Sequence, residues 1–555
     1  MRLGWRRAST STTSTTGGGA RRRWSIFGAA GVVGVVCLAL AGTASAVVTD
    51  TSAGNEARRK ATSEPDLIPR PVSYQRVQGQ TFELTRGSHV VVKPATKANR
   101  AVATGFAQRL RHSTGYAVPV SSRRPHGHDI VLLTTGTAAL GSEGYHLRAG
   151  EHGVAVVAHT AEGLFRALTT LRQMLPAEVE ATSPQDGPWR VAGAVVTDRP
   201  RFGYRGAMLD VSRHFFSVDE VKRYIDLVSL YKINRLHLHL SDDQGWRISV
   251  DSWPRLTEHG GSTEVGGGPG GFYTKAEFAE LVDYAAEHYI EVVPEIDTPG
   301  HTNAALASYA ELNCDGVARD LYTGTEVGFS SLCTTKEITY DFLDDVFGEV
   351  AAQSPGPMLH LGGDEAHVTP HEEYLRFMPR ASALVTGHGK RVMGWQEIAE
   401  TPLPPGSIAQ YWGTDDARSQ NLARQAVAQD AEVVMSPANR VYLDMKYDPD
   451  TPYGLTWAGY VPVRKAYDWD PDTLIPGVRE PDIAGVEAPL WAETLDEIGK
   501  AEFMAFPRLA GVAEIGWSPA RARSWQEYRH RLGGQAPRWE VLDVNYFAAP
   551  EIPWQ

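Results

Sequence analysis

MLHLGGDEAH, residues 358–367, runs from apolar residues into two glycines and then into two adjacent carboxylates, Asp364 and Glu365. Met358, Leu359 and Leu361 read as a short buried strand that the glycines end. Like charges this close resist ionising together. Acids crowded at the C-terminal end of a strand are what a barrel of alternating strands and helices offers, because its chemistry sits on that rim.

Outward from this stretch, the chain after Asp198-Arg199-Pro200 alternates strand and helix. Strands are predicted at 205–211, 235–240, 290–294, 358–362, 391–395, 407–411, 432–435 and 483–488. Capping boxes open two of the intervening helices, Ser217 with Glu220 and Thr274 with Glu277. Eight such units predict an α/β fold, a (β/α)8 TIM barrel over residues 198–555. An open doubly wound sheet is the alternative, but no GxGxxG turn follows a strand.

Residues 67–197 have a different texture. Val90-Val91-Val92, Ile130-Val131-Leu132-Leu133 and Val154-Ala155-Val156-Val157 are strand-like. Helices are expected over 100–113 and 161–175, the second with Leu164, Phe165, Leu168, Leu171 and Leu175 at helical spacing. This predicts a small α+β support domain without a catalytic constellation. Residues 47–66 are small and polar and read as a flexible leader.

At the start of the chain, Arg21-Arg22-Arg23, an apolar run from Ile26 to Ala41 and Ala44-Ser45-Ala46 have the pattern of a secretory signal over residues 1–46. A twin-arginine route or a membrane anchor are the other readings, and the run is short for a spanning helix. Without these residues the net charge changes from −12 to −18. So acidic a chain is a poor nucleic-acid binder. The expectation is a secreted protein, off the membrane once the signal is removed. Cys37 leaves with the signal, and Cys314 and Cys333 are then expected to pair, two reduced thiols being the alternative.

Reading each strand end in turn gives Asp210, Arg213 and His214, then Asp242, Asp243 and Trp246, then Glu295, Asp297 and His301. Asp364 and Glu365 follow, then Trp395, Tyr411 with Trp412, Tyr442 with Asp444, and Trp491 with Glu493. Carboxylates and an Arg suit sugar hydroxyls, and indoles suit sugar ring faces. His237 and His239 share one strand face. They read as core imidazoles, or as the start of a zinc amidohydrolase or deacetylase site. The glycine-rich stretch 260–271 lacks the Lys-Ser/Thr of a phosphate loop.

An ordinary glycosidase sets two carboxyls across the scissile bond. Neighbours on a strand point to opposite faces, so Asp364 and Glu365 suit a different division of labour. Glu365 would protonate the leaving oxygen. Asp364 would hold a 2-acetamido group whose carbonyl oxygen attacks C1 from within the substrate. Such a site also needs a donor for the acetamide oxygen and an aromatic box for its methyl.

HLGGDEAH, HLHLSDDQGWRI, GAMLDVSRHFF and PEIDTPGH resemble the exo-β-N-acetylhexosaminidases of glycoside hydrolase family 20. The resemblance covers nearly all of the chain after the signal. It implies a retaining, substrate-assisted hydrolysis of terminal β-linked N-acetylglucosamine or N-acetylgalactosamine, with no metal or organic cofactor. By similarity Glu365 is the acid and then the base, Asp364 orients the acetamide nitrogen, and Tyr442 donates to its oxygen. Trp395, Trp412 and Trp491 would enclose the pocket, with Trp457 as a further wall. Arg213, Asp444 and Glu493 would hold hydroxyls, and Asp242 and His301 would keep the Glu365 proton available. Acidic neighbours and desolvation are expected to raise the Glu365 pKa. A sugar-binding protein on an enzyme scaffold remains the non-catalytic reading.

Overall fold

The computed structural model describes residues 65–135 and 138–555. The signal segment 1–46 and all but the end of the leader lie outside the described residues. Among these, no helix is long and apolar enough to cross a membrane.

Seven strands form the first sheet: β1 (Ser73–Glu83), β2 (Val90–Lys93), β3 (Val120–Ser121), β4 (Ile130–Thr134), β5 (Tyr145–Gly150), β6 (Gly153–Ala158) and β7 (Arg190–Asp198). Their order is β1-β7-β5-β6-β4-β2-β3. Helices α1 (Lys97–Thr114) and α2 (Ala161–Met174) bury Phe106, Leu110, Leu164, Leu168 and Leu171 against it. The apolar runs of the sequence became β2, β4 and β6, which pair in parallel. Of the strands not foreseen, β1, β5 and β7 pair antiparallel, and the two-residue β3 pairs in parallel with β2. β5 reads YHLRAG, with His146 and Arg148 exposed between buried Tyr145 and Leu147. One wet face removes the continuous apolar run that marks a doubly covered strand.

The second unit of structure is a closed eight-stranded parallel barrel, β8 (Tyr204–Asp210), β9 (Arg235–His239), β10 (Glu291–Thr298), β11 (Met358–Gly362), β12 (Arg391–Trp395), β13 (Ile408–Tyr411), β14 (Glu432–Met435) and β15 (Ile483–Ala488). Each strand matches a predicted one within a few residues. Both capping boxes form: Ser217 and Glu220 open α3 (Val218–Ser229), and Thr274 and Glu277 open α4 (Lys275–Glu287). Sheet domain and barrel are stitched by a buried cluster. Lys232 Nζ lies 2.9 Å from Asp198 Oδ2 and 3.0 Å from the Tyr145 hydroxyl, and the Trp517 indole N–H donates to Asp198.

Beside an apolar cluster of Tyr204, Val293, Met358, Met393, Ile408 and Val434, the barrel strands carry a buried polar cluster. Glu295 on β10 accepts the Trp395 indole N–H at 2.9 Å and pairs with His237, His239 and His360 at 3.0, 2.5 and 2.8 Å. His237 also meets Glu487 at 2.9 Å, and Glu487 accepts from Gln410 at 2.7 Å. Burial alone would strip the proton from His237 and His239, but the carboxylates outweigh it and hold the two imidazoles up to about 10 and about 9. Both imidazoles therefore sit in ion pairs within the core.

Candidate active site

The double glycine explains how two adjacent carboxylates can serve one pocket. β11 ends at Gly362, and Gly362 and Gly363 have φ of 71° and 104°. A Cβ at Gly362 would lie 1.6 Å from Asp297 Oδ1. Only glycine fits there. The Gly363 amide donates to that same Asp297 oxygen at 3.2 Å, and Tyr374 donates to the Gly363 carbonyl at 2.7 Å. Glu365 itself has φ of 43°. The left-handed turn breaks strand alternation, and both carboxylates come to one imidazole. His301 Nε2 lies 3.6 Å from Asp364 Oδ2 and 3.4 Å from Glu365 Oε2.

Behind His301 the charges alternate. Its Nδ1 lies 3.2 Å from Asp242 Oδ1. Asp242 Oδ2 meets His239 at 2.6 Å and Arg213 at 2.8 Å. Burial would neutralise His301, but Asp242 and Asp364 raise it well above the ordinary imidazole range. This corrects the expectation for Glu365. Burial works to raise its carboxyl, yet the hydrogen bond and charge of His301 outweigh burial and hold it below its usual value. The raised member of the pair is Asp364, pushed up to about 6 by burial and by the charges of Glu365 and Glu295, with His301 opposing.

The rest of the rim closes around this pair. Asp210, at the end of β8, accepts from the amides of Ser212, Arg213 and Ala492, which ties the turn after β8 to the loop after β15. Arg213 stacks over Trp491 with its guanidinium carbon 4.8 Å from the ring centre. Asp444 has both carboxylate oxygens buried without a partner, and Glu493 has one. Unpaired buried acceptors are costly, and hydroxyl donors of a ligand would satisfy them. Burial and their mutual charge raise Asp444 well above the ordinary carboxyl range; burial also raises Glu493, against the pull of Arg213.

The aromatic residues divide by depth. Trp395 is fully buried and forms the floor, 5.8 Å from Trp491 between ring centres. Trp457 is about half exposed at the mouth, 5.8 Å from Tyr442 and 5.9 Å from Trp412. Burial, with the charges of Asp364, Asp444 and Glu365, pushes the Tyr442 phenol well above its ordinary value, so it stays a hydroxyl donor. Cys314 and Cys333 form a disulfide in the loop between β10 and β11. Of the strand-end residues, Asp242, Asp364 and Glu365 meet at His301 here, whereas Glu295 lies in the barrel core with His237, His239 and His360, and Trp246 packs against Phe342. Glu397 was not foreseen. It accepts the Trp412 indole N–H at 3.1 Å, and an acid two places after a strand-end Trp is the only sequence trace of it.

A (β/α)8 barrel with paired carboxylates, an aromatic box and buried unpaired acceptors on its C-terminal rim defines a glycoside hydrolase. The family model "Glycosyl hydrolase family 20, catalytic domain" matches residues 202–374 and 367–520, and "Glycosyl hydrolase family 20, domain 2" matches 64–199. The chain belongs to glycosyl hydrolase family 20. It is 44% identical over 494 residues to a β-N-acetylhexosaminidase of Cellulomonas fimi, covering 88% of this chain and 98% of that one. Among solved structures, the family 20 β-N-acetylhexosaminidase of Streptomyces coelicolor A3(2) is 55% identical with a TM-score of 0.86, covering 89% of this chain and all of that one. A mutant Streptomyces plicatus β-hexosaminidase in complex with its product GlcNAc is 53% identical with a TM-score of 0.86, covering 90% of this chain and all of that one.

Proposed function

We propose that this glycoside hydrolase is a secreted exo-β-N-acetylhexosaminidase that removes terminal non-reducing N-acetylglucosamine or N-acetylgalactosamine from oligosaccharides such as chitooligosaccharides. The relatives named above support the terminal sugar. The Cys314–Cys333 disulfide and the signal-like N-terminus support export. The observation that carries the chemistry is the convergence of adjacent Asp364 and Glu365 on His301, beside the Tyr442 hydroxyl.

In the first step the substrate's acetamide oxygen attacks C1 as the bond from C1 to the leaving oxygen breaks. Glu365 gives that oxygen a proton. Substrate binding desolvates Glu365 and raises its proton affinity, and the proton held on His301, 3.4 Å away, supplies it. Asp364 accepts the acetamide N–H and offsets the positive charge of the oxazolinium ring, while Tyr442 donates to the acetamide oxygen. In the second step Glu365 takes a proton from water, the water oxygen attacks C1, the oxazolinium opens and the configuration is retained.

The test is hydrolysis of an aryl β-N-acetylglucosaminide beside the matching aryl β-glucoside, with chelator present. Turnover of only the N-acetyl compound is expected. Equal turnover of both would place a protein nucleophile in the site and overturn the reading. A pH dependence follows from Asp364. Only its carboxylate carries the charge that offsets the oxazolinium, so kcat/KM should fall as pH drops through about 6, the value to which the free carboxyl is pushed. A kcat/KM that is flat down to the ordinary carboxyl range would contradict this role.

A further inference from the structure

Trp412, a wall of the aromatic box, also lines a cavity. That cavity, about 270 Å³, lies between the turns that follow β11, β12 and β13 and is lined by Trp412, Glu397, Glu365, Tyr374, His371 and Arg418. A ring with open space behind it needs something to hold it. The turn Gln396–Glu400, directly after β12, holds Trp412 twice. The Trp412 amide donates to Gln396 Oε1 at 3.3 Å, and Gln396 in turn donates to Ser419 at 2.8 Å. The Trp412 indole N–H donates to Glu397 Oε2 at 3.1 Å. Among the described residues Glu397 has no ion-pair partner: the nearby guanidinium of Arg418 pairs with Glu400 instead, at 2.9 Å.

We infer that Glu397 is a positioning residue that sets the width of the acyl pocket by fixing the Trp412 ring. The inference rests on the acetamide pocket proposed above and adds a determinant of which N-acyl groups it accepts. Burial and the charge of Asp364 push the Glu397 carboxyl up to about 8, so around neutrality it is a neutral acceptor for the indole and adds no second charge beside Asp364. With the bond intact, the wall meets an acetyl methyl and excludes a longer chain. With the bond lost, the ring can lean into the cavity and the pocket widens.

The experiment compares aryl β-glycosides of N-acetyl- and N-propanoylglucosamine on the wild type, Glu397→Ala, Glu397→Gln and Trp412→Phe. One methylene against a pocket wall is worth about tenfold or more in kcat/KM. Glu397→Ala should therefore raise the propanoyl-to-acetyl ratio by roughly tenfold, with a higher KM for the acetyl substrate. Glu397→Gln keeps an acceptor oxygen and should restore the wild-type ratio. Trp412→Phe keeps a ring but loses the N–H, and should relax the ratio even if Glu397→Ala does not fold. An unchanged ratio in folded Glu397→Ala or in Trp412→Phe, or a Gln variant that behaves like Ala, would overturn the inference. Equal wild-type turnover of the plain aryl β-glucoside would instead sink the acetamide reading beneath it.

Discussion

Glu365→Gln is expected to lower kcat on N-acetyl substrates by about 10²- to 10⁴-fold, the range of a positioned general acid and base. The loss should depend on the leaving group. A sugar alcohol needs its proton as the bond breaks, whereas an acidic phenol leaves almost unaided. The defect should therefore be largest on chitobiose and smaller on an aryl glycoside with an electron-poor ring. With Glu365 as the proposed base of the second step, the slow step on the aryl substrate should become attack of water. Glutamine keeps the shape and loses the proton, and His301 keeps its pairing with Asp242 at 3.2 Å, so folding should be untouched. Near-normal turnover of chitobiose would remove Glu365 from the role of acid.

Asp364→Asn should cost about 10²- to 10³-fold in kcat, the usual loss when one charge-stabilising group at a reacting centre is removed. The reason differs from that at Glu365. Asparagine is nearly isosteric and can still offer an oxygen to the acetamide N–H, but it carries no charge to offset the oxazolinium. The loss should therefore fall on kcat more than on KM, and it should be similar for good and poor leaving groups. The fall of kcat/KM near pH 6 should vanish with the carboxyl. The variant also takes a negative charge away from His301, which Asp364 helps to keep protonated. A variant with wild-type kcat would show that the carboxylate does not serve the acetamide.

The two substitutions change neighbouring residues and are expected to leave different kinetic signatures. That contrast comes from the turn at Gly362 and Gly363. If Asp364 and Glu365 continued the strand they would face opposite sides of the sheet. The left-handed backbone at both glycines and at Glu365 turns the two side chains toward His301.

What the sequence by itself determined is the barrel and which strand ends carry acids and indoles. Strand, helix and capping signals are local: apolar runs of strand length, turn glycines, and Ser217-Glu220 or Thr274-Glu277 pairs act over a few residues, so they survive in a linear reading. Strand ends carry their acids and indoles with them, which is why Asp364, Glu365, Trp395, Tyr442, Trp491 and Glu493 were legible as one rim. Half-wet β1, β5 and β7 were not, because an antiparallel strand with one face in water has no continuous apolar run. Only the tertiary structure decided the charges. Adjacent acids suggested a raised Glu365, but His301, far along the chain, reverses the sign, and Asp364 takes the upward shift instead. It also decided that Glu397 reaches Trp412 and that Glu295 gathers three imidazoles in the barrel core. Proton affinity depends on burial and on charges within a few ångströms, and those neighbours come from separate strands that meet only when the barrel closes.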